Sequence, residues 1–199
     1  MSNPVSFSDQ VRQCAKHLVD VGDHGLSGLF NLTATRLVRL ATSVTRNQHD
    51  AEDAVQSVLV RVAAQPHKLN AAGEPWHYLL RMVRNQSLLI LRQRKTSMPL
   101  GTLSDLNTRV VVDEAEQAES YRAVWLALRQ LPVGQREVVV LKIWEMLTFA
   151  EIGQVLDLSP STVASRYRYA LEKLAKHLDS HANAHEPQIN SRQRGAGHE

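Results

Sequence analysis

Apolar residues recur at three- and four-residue intervals along most of this chain, the spacing that gives a helix one buried face. Val11, Ala15, Leu18 and Val19 form the first stripe between Asp9 and Val19, and Gly22 and Gly25 then interrupt it. Leu26, Leu29, Phe30, Thr33, Leu37, Val38, Leu40 and Ala41 carry the period on to Arg46 and Asn47, which predicts a second helix. Asp50 stands ahead of Ala51-Glu52-Asp53 and offers a carboxylate to free backbone N–H groups. It is therefore the expected N-cap of a third helix, with Val55, Val58, Leu59 and Val62 on the inner face. Pro66 should end that helix; Pro75, after a polar loop with Gly73, should open a fourth from Trp76 to about Arg94.

The pattern lapses from Thr96 to Gln117. Pro99 and Gly101 break helix there, and Asp105, Asp113, Glu114 and Glu116 face only Arg109 as counter-charge, so the stretch reads as an acidic linker. Helical spacing resumes with Tyr121, Val124, Trp125 and Leu128, stops at Pro132 and restarts from Gln135 to Trp144. Two more helices, Thr148 to Leu156 and Pro160 to Leu178, are separated only by Asp157-Leu158-Ser159. After Ser180 the chain is polar, with Pro187, Gly195 and Gly197, and is expected to be a disordered tail. The fold class expected is all-α: two small helical domains over 9–95 and 119–179, a flexible linker over 96–118 and a tail over 180–199.

Composition narrows the classes of function. A length of 199 residues suits one ordinary domain or two small ones, and 43% hydrophobic with 22% charged residues excludes a disordered or membrane-embedded chain. No apolar run approaches the roughly 18 residues that span a bilayer. The N-terminus MSNPVSFSDQ has no basic segment ahead of an apolar core, so a cytoplasmic protein without membrane insertion is expected. The lone Cys14 has no partner for a disulfide or a thiolate zinc site. His177, His181 and His185 fall at i, i+4 and i+8, but at a helix end that should fray. No other histidine or carboxylate shows ligand or triad spacing, so no metal, no cofactor and no enzymatic activity are expected. The net charge of +3 is modest, and what matters is where the charges lie.

Two stretches concentrate candidate chemistry. From Leu147 to Tyr167 a short amphipathic helix, a tight turn and a second helix with Ser159 as cap and Pro160 in its first turn describe a helix-turn-helix. Gly153 would let the two helices approach, and Asp157 tolerates the left-handed backbone such a turn requires. Ile152, Leu156, Leu158 and Val163 would pack between the helices, leaving Ser161, Thr162, Ser165, Arg166 and Arg168 facing outward toward a DNA groove and its phosphates. The alternative is an ordinary helical hairpin with a solvated basic face. The other stretch, Trp76 to Lys95, carries Arg81, Arg84, Arg92, Arg94 and Lys95 without an acid, with Trp76, His77 and Tyr78 at its start. Arginines that track phosphates beside rings that stack on bases suit single-stranded nucleic acid, although basic helix ends over buried aromatics are common too.

Taken in order, these segments resemble the extracytoplasmic-function group of the sigma-70 family. The resemblance is carried by Leu18-Val19-Asp20-Val21-Gly22-Asp23 with Leu29-Phe30, by Asp50-Ala51-Glu52-Asp53-Ala54-Val55-Gln56, and by Met82-Val83-Arg84-Asn85. It continues through Leu128-Arg129-Gln130-Leu131-Pro132, Gln135-Arg136-Glu137-Val138 and Ala150-Glu151-Ile152-Gly153 to Ser165-Arg166. Tyr78 stands where the family usually has Trp, Leu89 and Ser57 where it usually has acids, and Ala164 and Tyr169 where basic residues are frequent.

The resemblance implies a factor that binds core RNA polymerase through Asp53 and Gln56. It implies melting of the −10 element of promoter DNA with Tyr78, Arg81, Arg84 and Asn85. It implies reading of the −35 element with Thr162, Ser165, Arg166 and Arg168. An anti-sigma factor is a further candidate partner. Two other classes fit part of the chain. A helix-turn-helix regulator acting without polymerase accounts for the C-terminal half alone, and a sigma-like decoy would bind partners without initiating transcription.

Overall fold

All the regular structure of the described residues, 5–97 and 124–184 in this computed structural model, is helical. Helix α1 (Phe7–Val21) opens on Ser6, whose hydroxyl accepts the Asp9 N–H, and closes on Gly22 at φ +62, a value a side chain would strain. That single residue turns the chain into α2 (Asp23–Thr45). Gly25 brings the two helices together, for a Cβ there would lie 2.7 Å from the Leu18 Cα. Leu29, Leu37, Leu40 and Ala41 make α2 the centre of the first helical unit, packed by α1, α3 (Gln48–Ala64) and α5 (Pro75–Ser97). A five-residue helix, α4 (Pro66–Asn70), lies against α1.

The entry to α3 differs from expectation. Arg46 ends α2 in the left-handed region, and extended Asn47 then accepts the Asp50 N–H at 3.1 Å, so Asn47 is the cap and Asp50 sits in the first turn. Asp50 is buried, with its carboxylate 2.8 Å from Arg94 near the end of α5. Burial pushes its carboxyl above the usual range against the opposing pull of Arg94. Pro66 does end α3, but its fixed φ also suits the first position of α4.

The second unit comprises a helical stretch over residues 124–129 (α6), α7 (Val133–Ile143), α8 (Phe149–Leu156) and α9 (Pro160–Ala184). Trp125, Leu128, Leu131, Val139 and Ala170 form its small core, with Trp125 stacked on Trp144. Helix α9 runs beyond the expected end at Leu178 to Ala184. The rest of the expected tail and nearly all of the acidic linker lie outside the described residues.

The two units pack on one another. Helix α7 lies on α2 and α8 on α5, and Val138, Leu141, Ile152 and Val155 join the same buried cluster as Leu40, Leu80 and Val83. No helix among the described residues is long and apolar enough to cross a membrane.

Candidate functional site

Three surfaces carry the residues singled out from the sequence. The first is the outer face of α3. Ala54, Val55, Val58, Leu59 and Val62 take its inner face, so the helical period turns Asp53 and Gln56 to solvent, one turn apart. Val60 continues the same stripe at 69% exposure, an apolar residue on an outer face that the sequence reading passed over. Its position off the inner stripe was the available signal.

The second surface is α5. Trp76 does not stack on anything outside the fold: it is 1% exposed and meets Phe7 edge-on, with ring centroids 4.9 Å apart. His77 is buried as well, while Tyr78 is half-buried against the core and Asn85 is exposed. The basic residues of this helix are partly engaged. Arg81 donates to the Gln154 carbonyl of α8, Arg84 Nε lies 2.9 Å from Glu137 Oε1 of α7, and Arg94 holds Asp50. Burial pushes the Glu137 carboxyl up, and Arg84 is the strongest influence drawing it back.

The third surface is the helix-turn-helix. Thr148 and Glu151 form a reciprocal capping box at the start of α8, and these hydrogen bonds hold the Glu151 carboxyl below its usual range. Asp157 takes the left-handed turn at φ 58, and a Cβ on Gly153 would come within 2.6 Å of the Leu158 carbonyl oxygen. Ser159 Oγ accepts the Thr162 N–H at 3.1 Å and opens α9. Thr162, Ser165 and Arg168 are exposed along that helix, the outward placement expected of them. Arg166 departs from the expectation. It is half-buried and turned back on α7, where a Cβ on Gly134 would lie 2.8 Å from its Nη1.

Charged residues that the sequence reading did not single out join the units. Arg136 is 1% exposed and donates to the Ser43 carbonyl at 2.6 Å and the Leu131 carbonyl at 2.8 Å. Burial, aided by Arg46 and Arg129, lowers its pKa to about 10, which leaves it charged at neutral pH. Glu145 is buried 3.5 Å from Arg36 and 3.6 Å from Arg39 of α2, and burial pushes its carboxyl up. No three His, Cys, Asp or Glu side chains gather as a metal site among the described residues.

Two family profiles match the chain in succession, sigma-70 region 2 over residues 29–96 and sigma-70 region 4 over residues 121–174. The ECF RNA polymerase sigma factor SigM of Mycobacterium tuberculosis is 34% identical over 152 residues, which cover 75% of each chain. The ECF RNA polymerase sigma factor SigK of Mycobacterium ulcerans is 27% identical over 187 residues, covering 90% of this chain and all of that one. Among solved structures, CnrH in complex with the cytosolic domain of CnrY superposes with a TM-score of 0.62 at 24% identity, over 86% of this chain and 99% of that one. The sigma factor RpoE of Bartonella quintana, in complex with the anti-sigma factor NepR, gives 0.65 at 20% identity over 75% and 94%. These two likenesses are of fold.

Proposed function

Because the chain belongs to the sigma-70 family, in its extracytoplasmic-function group, we propose that its three surfaces divide the work of promoter recognition among polymerase binding, strand opening and duplex reading. The protein is a sigma factor that directs transcription initiation. Sigma factors are not enzymes, so what the residues must explain is recognition. The observation that carries this reading is the presence of both family regions in one chain, over 29–96 and 121–174. A helix-turn-helix regulator acting alone would leave the first of them without a role.

Core RNA polymerase meets the exposed stripe of α3, where Asp53 and Gln56 offer a carboxylate and an amide to a basic partner surface. Val60 adds an apolar contact one turn on. Asp53→Ala combined with Gln56→Ala should weaken association about tenfold or more, the scale of losing a charge-assisted hydrogen bond. Both side chains are exposed, so thermal stability should hold. Co-purification of the folded double variant with core enzyme at the native level would remove α3 from the interface.

Promoter DNA meets α5 and α9. Tyr78, Arg81, Arg84 and Asn85 act at the −10 element, where capture of an unstacked base offsets part of the cost of opening the duplex. Thr162, Ser165 and Arg168, exposed on α9, act at the −35 element as duplex, and Arg166 joins them on leaving its place against α7. An anti-sigma factor is a further partner, as NepR is for RpoE of Bartonella quintana.

The test of strand opening uses core polymerase, this chain and a promoter mapped after its overexpression. Asn85→Ala and Tyr78→Ala should leave closed-complex formation nearly intact and reduce permanganate reactivity of thymines around the −10 element. A pre-melted template should restore a variant defective only in separating strands. Native reactivity on duplex DNA in both variants would show α5 to be structural and melting to be driven elsewhere.

A further inference from the structure

From the exposed row along α5 we infer that Leu89 reads the C5-methyl group of a thymine in the −10 element, which makes it a specificity-determining residue of this chain. The inference rests on the assignment of α5 to the −10 element and adds a base preference to it. Arg81, Asn85, Leu89 and Arg92 are exposed, while Leu79, Leu80, Val83 and Ser87 are buried on the opposite side. Spacings of four, four and three residues put the first set on one face of the helix. Leu89 is 43% exposed and, among the described residues, belongs to neither buried cluster. A lone exposed leucine is ordinary on a protein surface. Its place between a carboxamide and a guanidinium, in the row assigned to DNA, is what gives this one a partner.

The turn that carries Leu89 is fixed from behind. Ser87 Oγ donates to the Val83 carbonyl at 2.8 Å, Ile90 packs on the core, and Arg94 of the inner face lies 2.8 Å from the buried Asp50 carboxylate of α3. A side chain on so supported a turn has a defined reach. Leu89 lies about 6 Å along the helix from Asn85, or about two base pairs of a duplex. Tyr78 and Asn85 are assigned to the base that leaves the stack, so Leu89 faces the edges of the pairs beside it. Only thymine presents a methyl group in the major groove, and an apolar side chain is the contact that suits it, whereas a carboxylate accepts from the amino group of cytosine. Leu89 stands where the family usually has an acid. Having no acceptor, it cannot take the amino proton, and it sets no negative charge against the phosphates. The exchange turns a position suited to cytosine into one suited to thymine.

The experiment uses core polymerase, the full chain and a duplex promoter mapped after its overexpression. Thymine is placed in turn at each base pair of the −10 element, on either strand, and compared at each with uracil, which lacks only the methyl group. At one position the native chain should bind the thymine template about fourfold more tightly than the uracil template, the scale of one buried methyl. Leu89→Ala, shown by circular dichroism to be folded, should bind the two alike there. Leu89→Asp should bind a cytosine template more tightly than the thymine one at that position, reversing the native order. 5-Methylcytosine should recover affinity over cytosine for the native chain and not for Leu89→Ala. Equal binding of thymine and uracil templates at every position by the native chain would overturn the inference, as would an undiminished thymine preference in Leu89→Ala. If strand opening still depends on Tyr78 and Asn85 in that case, α5 remains at the −10 element and only the role of Leu89 falls. Normal opening in the Tyr78 and Asn85 variants would remove α5 from DNA, and Leu89 with it.

Discussion

Trp76→Ala should lower the stability of the protein by about 3–5 kcal/mol, the cost of emptying a large aromatic from a packed interior. Trp76 is among the largest fully buried side chains, and it joins α5 to α1 through Phe7. Marginal stability makes such a loss a large fraction of the total, which for domains is about 5–15 kcal/mol. Tyr78→Ala, two residues on and half-buried, should cost clearly less. Chemical denaturation of both variants, read as a change in midpoint at unchanged slope, checks the pair. A Trp76 variant that unfolds at the native midpoint, yet fails in strand opening, would return Trp76 to the DNA-stacking role from which burial removes it.

Gly153→Ala is the second large effect, and two opposed terms decide its sign. Alanine in a helix gains about 0.5–1 kcal/mol over glycine. Against this, the new Cβ would sit 2.6 Å from the Leu158 carbonyl oxygen, a backbone atom with no rotamer to escape into. Relief by moving the helices apart is blocked, because Gly153 and Leu158 are joined across the turn by the Leu158 N–H, which donates to the Gly153 carbonyl at 3.0 Å. The clash wins, at about 1–3 kcal/mol of net destabilisation or more. Duplex binding at the −35 element should fall with it while association with core polymerase through α3 persists. Native stability in Gly153→Ala would mean that α8 and α9 are less closely fitted than their geometry here.

The helix-turn-helix was legible because each of its constraints is local. A capping serine, a proline in the first turn, a left-handed aspartate and a glycine at the crossing all lie within a few residues of what they act on. The Thr148-Glu151 box was equally readable as a Thr-x-x-Glu pattern and was passed over. The entry to α3 misled for a related reason: Asn47 and Asp50 are both good caps, and only the left-handed Arg46 decides between them. Trp76 and Tyr78 illustrate a different limit. Aromatics beside arginines look the same whether the rings are buried or offered to bases, and burial depends on Phe7, far away in the chain. The joins between the units were not legible at all. Arg136, Glu137 and Glu145 lie in a stretch whose periodicity is fully explained by helix α7 and the turn after it, and a partner such as Ser43 is 93 residues distant.

Those separations bear on how the molecule comes into being. Contacts inside the first unit are all made within residues 5–97, whereas the bonds that tie the units together wait for residues after 124, as for Arg84 with Glu137, 53 residues on, and the Arg46 carbonyl with Arg129, 83 residues on. During synthesis the N-terminal part emerges first and domains fold as they appear. Helix α2 therefore forms when its later donors do not yet exist, and water alone meets its terminal carbonyls. The nascent chain must pass through a stage in which α3 is complete while Arg81 and Arg84 of α5 still lack Gln154 and Glu137, so a newborn molecule is at its most open before the ribosome has finished it.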